Sequence, residues 1–496
     1  MNISNYFFDQ AAKNPDKSAI IHGNNSITYG ELAAEVKKTA QYIYGKGIRK
    51  NDRVLVFIPM GIDLYRIVLA IFSVGATAVF IDEWTDKSAL LKACKTAKCK
   101  AMITGLKVRF FSMFYHETRS IPIKLLISGR AKNLMDPISV DKDDSALITF
   151  TTGSTGLPKA ADRSHGFLSL QLEIIGNEMN NSGYDVAMVN LPVVLFSNLA
   201  QGISSVIPLY NSIQPDRSDW NAIAAQLNIH KVTQITGSPY FLSGIADHFR
   251  KKDQTVSGIT KIFTGGGPVF PDQARMLLFV FTSARIKVVY GSTEAEPISL
   301  IDAENLLELY TMEQKGLPAG VPHPSLNVKI VRMTEKIEQK MKSDKFEQMK
   351  VKEEEIGEIL ISGSPVLDRY FPAEKNLPTN KVQVNEVLWH RTGDSGYIKN
   401  DILYLTGRVQ EIIKRENKYY APFIEELKIN AHPFVKNGCI IQSENKIVLF
   451  IQLEKGCIIS EKLFDFPFDE LRIIDEFPRD PRHHTKIDYR ALRKLI

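Results

Sequence analysis

Short apolar runs recur along the chain, and several give way directly to turns of Gly, Ser or Thr. They include VLVFI at 54–58, AMITG at 101–105, ALITF at 146–150, QITGS at 234–238, KIFTG at 261–265 and IKVVY at 286–290. Short runs that are apolar on both faces and rich in β-branched residues read as strands buried on both sides. Between them lie stretches with the spacing of amphipathic helices, such as 61–74. Buried strands alternating with helices make a doubly wound α/β layer. In such layers the ligand loops sit at the carboxyl ends of strands.

A chain of 496 residues is too long for one simple core, so at least two domains are expected. The pattern changes after about residue 316. Residues 326–331 and 357–363 read as strands of a smaller β-rich region. The mixed-charge run between them, TEKIEQKMKSDKFEQMKVKEEE, reads as a solvated helix or loop. A compact tail follows Arg408, with a helix-like segment at 424–431, a strand at 446–453 and a basic end. The boundary is placed within Thr406–Gln410, giving units 1–406 and 407–496. The expected class is therefore α/β. A large N-terminal domain of doubly wound sheets carries a small β-region, and a small α+β C-terminal domain follows.

The net charge of +6 comes from scattered Lys and Arg, without a basic arm, so nucleic acid is not an expected partner. Cys94, Cys99, Cys439 and Cys457 show no CxxC spacing and read as free thiols of a reducing compartment. The N-terminus lacks a basic stretch followed by a long apolar one, so no signal peptide is expected. Asp63 and Arg66 interrupt the most apolar stretch, 54–81, which excludes a membrane span there. The expected location is the cytoplasm.

Five motifs carry chemistry. The first, Thr151-Thr152-Gly153-Ser154-Thr155-Gly156-Leu157-Pro158-Lys159, follows an apolar strand. Its glycines let backbone N–H groups approach an anion, and its hydroxyls and Lys add donors and charge, which suits polyphosphate. It is not a Walker A loop, because Pro158 separates Gly156-Leu157 from Lys159. The second is Tyr290-Gly291-Ser292-Thr293-Glu294, again after a strand. The third is Arg391-Thr392-Gly393-Asp394-Ser395-Gly396, in which Asp394 could accept hydrogen bonds from a cis-diol. The fourth is Gly407-Arg408 with Glu411-Ile412-Ile413-Lys414. The fifth is Arg482-His483-His484-Thr485-Lys486-Ile487-Asp488. Singly, each has a plain structural reading: a flexible turn, a strand-capping turn, an Asx turn or a solvated basic tail.

Together, in this order, the five motifs identify a resemblance. The chain resembles the superfamily of acyl-CoA synthetases, nonribosomal peptide adenylation domains and firefly luciferase. The likeness runs from Ile27-Thr28-Tyr29-Gly30-Glu31-Leu32 to about Leu492. It implies an adenylate-forming ligase that uses ATP and Mg²⁺, forms an acyl-AMP with release of pyrophosphate, and passes the acyl group to CoA or to the phosphopantetheine of an acyl carrier protein.

By that resemblance, Thr151, Thr152, Gly153, Ser154, Thr155, Gly156 and Lys159 would hold the β- and γ-phosphates. Thr293 would meet the α-phosphate, and Glu294, with Thr155, would face Mg²⁺. Gly265, Gly266, Gly267 and Pro268 would line both the adenine and acyl sites. Tyr290, followed by Gly291 and Ser292, would stack on adenine. Asp394 would hold the ribose hydroxyls, with Arg408 nearby. Lys486 matches the family's catalytic lysine, which offsets charge at the reacting phosphorus. Gln410 stands at the family's hinge. His483 and His484 read as solvated or close to phosphate rather than as metal ligands.

Two departures from the pattern stand out. Asn417 replaces the usual Gly three residues after Lys414, which adds a side chain where pantetheine would pass. Thr485 replaces the usual Gly before Lys486. The Arg-His-x-x-Lys-Ile pattern, together with LPVVLFSNLAQG at 191–202 and YGSTEAEPIS at 290–299, looks like the β-lactone synthetases of bacterial olefin synthesis. An acyl pocket built from Leu195, Phe196, Ile203, Tyr240, Phe241 and Gly265 would favour a fatty or aryl acid over an amino acid. The competing readings are thus a thiol-acylating ligase, a β-lactone synthetase, and a non-catalytic nucleotide-binding relative.

Overall fold

The computed structural model describes residues 1–81, 87–106, 114–151, 159–310, 316–334, 337–372, 377–415, 418–444, 446–460, 463–464, 466–479 and 487–496, with the side chains of 87–90, 151 and 159 excepted. The sequence-predicted 152–158, Asn417 and Lys486 lie outside these residues.

Two large sheets form the framework. The smaller has seven strands, in the order Tyr370–Phe371, Lys159–Ser164, Ser145–Thr151, Thr77–Phe80, Arg53–Phe57, Ala101–Thr104 and Ile123–Leu126. The larger has 15 strands and runs parallel through Ser18–His22, Ser204–Ile207, Val186–Val189, Gln234–Gly237, Lys261–Gly265 and Arg285–Ser292. There the direction reverses, at the hairpin to Ala295–Asp302. The small β-region expected after residue 316 continues this same sheet through Leu317–Pro322, Ile402–Arg408, Val387–Lys399, Gly357–Gly363 and Leu326–Val331.

The helix Ile62–Ser73 packs against strands of both sheets and shares one buried core with them. It is apolar on all sides, as a helix covered on all sides must be. Its charged residues are the half-exposed Asp63 in the first turn and Arg66, at 1 % exposure. Its guanidinium pairs with Asp63 and donates to the Thr39 hydroxyl and to the Ile127 carbonyl at 2.6 Å.

The charged run at 334–355 corrects its sequence reading. It contains the strand Lys340–Met341 and the helix Ser343–Glu347. Phe346, at 1 % exposure, and Met341 join Trp389 and Leu360 in a core of their own. Charge density hid the apolar positions, which recur too sparsely for a periodic signal. The Arg391–Gly396 motif likewise lies within the long strand Val387–Lys399 rather than in a turn.

The strand Ile402–Arg408 is the last of the large sheet in chain order, and a 3₁₀ turn, Val409–Glu411, leads out of it. The tail beyond packs the helix Pro422–Asn430 and the short helix Tyr489–Arg493 with the three-stranded sheet Val435–Ser443, Lys446–Leu453 and Glu470–Ile473. Among the described residues, no helix is long and apolar enough to cross a membrane.

Candidate functional site

A cleft of about 2070 Å³ opens at the carboxyl ends of the parallel strands and is walled on one side by the C-terminal segment. It collects residues from four of the sequence motifs: Tyr290–Glu294, Asp394, Arg408 with Gln410, and Ile487–Asp488. Gly265, Gly266, Gly267 and Pro268 line it too. The spacing between the strands explains Gly265. A Cβ there would stand 2.8 Å from the Val289 carbonyl oxygen of the neighbouring strand. Gly266 has φ +82°, in the left-handed region that favours glycine.

Asp394 and Arg408 are cross-strand partners, so the sheet register alone brings them together. Arg408 Nη1 lies 3.1 Å from Asp394 Oδ1, and the Tyr290 hydroxyl donates to Asp394 Oδ2 at 2.7 Å. Burial, reinforced by the Asp394 charge, pushes the Tyr290 phenol well above its ordinary pKa, so it remains a donor. The Asp394 charge likewise raises Arg408. Each carboxylate oxygen has more than one lone pair, so both can still accept from a diol. Beneath them Thr392 braces the backbone: its hydroxyl accepts from the Asp394 N–H at 3.0 Å and donates to the Ile359 carbonyl at 2.9 Å. Arg391 is tied bidentate to Glu358, which is buried at 1 % exposure. Burial raises the Glu358 carboxyl despite the opposing Arg391.

Thr293 and Glu294 form the tip of the hairpin at which the large sheet reverses. The Glu294 carbonyl accepts from the Leu367 N–H at 2.7 Å. Its carboxylate Oε1 accepts from the Tyr370 hydroxyl at 3.0 Å, which itself accepts from Asn380 Nδ2 at 2.7 Å. The Thr293 carbonyl accepts from Arg163 Nη2 at 3.2 Å, while Arg163 Nη1 donates to the Thr149 hydroxyl at 2.8 Å. Arg163, only 5 % exposed, thereby joins the two sheets beside the strand that leads into 152–158. Thr151 and Lys159 face each other across the strand pair on either side of that segment.

Sequence reasoning missed Arg163, Tyr370, Asn380 and the Glu358–Arg391 pair. The one available signal was Arg163 itself, a long cation after the short Ala160, Ala161 and Asp162 of the strand Lys159–Ser164.

The residues flanking Lys486 stand at the cleft. Arg479 and Ile487 form an antiparallel bridge, the Asp488 N–H donates to the Pro478 carbonyl at 2.8 Å, and Arg479, Ile487 and Asp488 all line the wall. Gln410 is exposed within the 3₁₀ turn and lines the same cleft.

The predicted acyl pocket needs correction. Leu195, Ile203 and Phe241 have at most 1 % exposure and fill the core. Tyr240 donates its hydroxyl to Asp216 at 2.6 Å instead. Phe196 and Gly265 do line the cleft. The reason is helical phase: one face of Pro192–Gln201 carries Leu195 and Leu199 into the core, and the adjacent position, Phe196, reaches the opening. The apolar side chains that reach the opening are instead Phe80, Ile175, Val193, Val194 and Phe196, with the buried Leu64, Val68, Leu147 and Met179 behind them. Beside it Glu178 is held by Lys287 at 3.2 Å. Among the described residues no cluster of three or more His, Cys, Asp or Glu could hold a metal ion.

The family model described as AMP-binding enzyme matches residues 7–371. An olefin β-lactone synthetase of Xanthomonas campestris pv. campestris is 24% identical over 93% of this chain and 89% of its own length. The 2-succinylbenzoate–CoA ligase of Bacillus subtilis is also 24% identical, over 89% of this chain and 85% of its own. Among solved structures, O-succinylbenzoate coenzyme A synthetase from Bacillus subtilis, in complex with ATP and a magnesium ion, superimposes with a TM-score of 0.79. It is 20% identical in sequence, with 99% of each chain covered.

Proposed function

The chain belongs to the AMP-binding enzyme family, and from that premise we propose that it activates a fatty or aryl carboxylic acid as its acyl-AMP, consuming ATP and releasing pyrophosphate. The observation that carries this reading is the convergence of Gly265–Pro268, Thr293–Glu294 and the Tyr290–Asp394–Arg408 triad on one cleft. Asp394 offers acceptors for the ribose diol. Glu294 offers a hard oxygen donor whose other face is held by Tyr370, which suits Mg²⁺. That ion would offset negative charge on the phosphates. Lys159 and the rest of the loop 151–159 would hold the outer phosphates, and Lys486 would offset charge at the α-phosphorus.

No general base is required, because an ionised carboxylate is already the nucleophile. It attacks the α-phosphorus, the bond to the bridging oxygen breaks, and pyrophosphate leaves with that electron pair. The enzyme's share is alignment and electrostatics. The apolar side chains that reach the opening, Phe80, Ile175, Val193, Val194 and Phe196, support an acid with a hydrocarbon part.

The activated acyl group then has two candidate fates. Transfer to CoA or a carrier-protein thiol is the first. Internal displacement of AMP by a β-hydroxyl, giving a β-lactone, is favoured by the Arg482-His483 to Lys486-Ile487 pattern and by the similarity to a β-lactone synthetase. The test is acid-dependent pyrophosphate release across fatty, β-hydroxy-fatty and aryl acids, with and without CoA, followed by mass spectrometry of the product. A thioester selects the first fate and a lactone the second. Pyrophosphate release with none of these acids would overturn the assignment.

A further inference from the structure

Glu178 lines the cleft but has no part in the activation chemistry described above. It is the penultimate residue of the helix His165–Met179. A helix dipole disfavours a negative charge at that end, and the last turn carries no basic residue. Glu178 is held from the large sheet instead. Lys287 Nζ lies 3.2 Å from its Oε2, and His323 Nε2 lies 3.8 Å from its Oε1. Asp302, the cross-strand partner of Lys287, is itself held bidentate by Arg285 at 3.1 and 2.8 Å. The Glu178 and Lys287 side chains keep 29 % and 20 % exposure, so the pair is not sealed in the core.

The pair stands away from the hairpin tip. Thr293 is at that tip, and Lys287 lies six residues earlier, roughly 20 Å along the strand. Between them, on the face that carries Lys287, Val289 and its cross-strand partner Leu300 line the cleft. Ile175 lines it one helical turn before Glu178. An acid with its carboxyl at Thr293 would thus run along apolar side chains and end at a carboxylate. We propose that Glu178 is a specificity-determining residue that accepts a hydrogen bond from a hydroxyl at the far end of the acid, and that the span makes this an ω-hydroxy fatty acid rather than a short aryl one. The inference rests on the acyl-AMP reading and narrows the class of acid. Other ends fit worse. A methyl end would strip water from Glu178 and return no hydrogen bond. A second carboxylate would meet like charge at Glu178, and an ammonium would meet it at Lys287. A neutral hydroxyl can donate to either Glu178 oxygen, since each has more than one lone pair, and leaves the ion pair intact.

The experiment measures pyrophosphate release by the full chain with pairs of acids of equal length, from octanoic to hexadecanoic, with and without an ω-hydroxyl. Calorimetry reads the binding of each acid separately. For wild type, kcat/KM at the best length should favour the ω-hydroxy acid by at least roughly tenfold. In the double variant Glu178→Leu with Lys287→Met, which removes both charges together, that preference should vanish, the hydroxy acid losing and the plain acid gaining. Glu178→Gln keeps an acceptor oxygen and should retain part of the preference. Calorimetric affinities should follow the same order. Three results overturn the proposal alone: pyrophosphate release from plain acids without preference for the ω-hydroxyl, turnover confined to acids that lack one, or equal loss of both acids in the double variant together with a lowered Tm, the mark of a merely structural ion pair. If no acid of any class gives pyrophosphate, the acyl-AMP reading fails and the proposal falls with it.

Discussion

Asp394 accepts from a phenol, pairs with a guanidinium and keeps acceptors open to the cleft. Replacing it with Ala removes charge-assisted hydrogen bonds worth about 1.5–3 kcal/mol each. KM for ATP should therefore rise about tenfold or more in Asp394→Ala, with a smaller change in kcat, as steady-state kinetics will show. Glu294 is a different case. Its Tyr370 and Asn380 supports hold the carboxylate in place, so Glu294→Gln keeps the shape and loses the charge. Its kcat should fall by about a hundredfold or more, and the Mg²⁺ concentration giving half-maximal rate should rise. Lys486→Ala should abolish pyrophosphate release while calorimetry still finds ATP bound. Glu294 and Asp394 were legible because they sit in short motifs beside strand-like runs. Tyr370 was not, because it stands 76 residues from Glu294 and only folding brings the two together.

Among the elements, the helix Pro422–Asn430 carries a titratable feature. Burial pushes the Glu426 carboxyl up to about 7, against the opposing hydrogen bonds of Cys439 and Tyr489 and with help from the like charge of Glu411. Arg493, paired to Glu411, is the cation of this cluster. The folded protein holds this proton to a higher pH than the unfolded chain does. Its contribution to stability is therefore full below the unfolded value near 4.5 and is lost as pH rises to about 7. The size is at most ~3 kcal/mol. Between about pH 5 and pH 8, wild-type Tm should fall by more than that of Glu426→Gln. Parallel Tm curves would assign the titration elsewhere.

The strand pair Lys261–Gly265 and Arg285–Ser292 invites a second test. Gly265→Ala places a methyl against the Val289 carbonyl, so the strands must part and shift both Gly266–Pro268 and Tyr290. Activity should drop together with Tm. The strands and the long helices were legible as elements because their apolar periodicity is local. The segment 334–355 was not. Phe346 and Met341 are isolated apolar residues in a charged stretch, and only the facing Trp389 and Leu360 make them core.

For the whole molecule, the C-terminal segment leaves the large sheet at the turn Val409–Glu411, beside the cleft. We propose, from the sequence resemblance alone, that Asn417 at a position where the family pattern has Gly makes CoA a poor acceptor. Mass spectrometry after turnover with CoA should then find little thioester, and abundant acyl-CoA would refute this. The sequence by itself determined the α/β class, the family and the candidate residues Gly265–Pro268, Tyr290, Thr293, Glu294, Asp394 and Arg408. These rest on patterns within a few residues of one another, and local chemistry is what a linear chain records. Only the tertiary structure decided that the β-region continues the large sheet, that Leu195, Ile203 and Phe241 belong to the core, and that Arg163 spans the two sheets. It also decided that Arg493 reaches Glu411 across 82 residues. Such pairings depend on strand order, register and helical phase, which are settled when distant segments compete to bury apolar surface and satisfy buried polar groups.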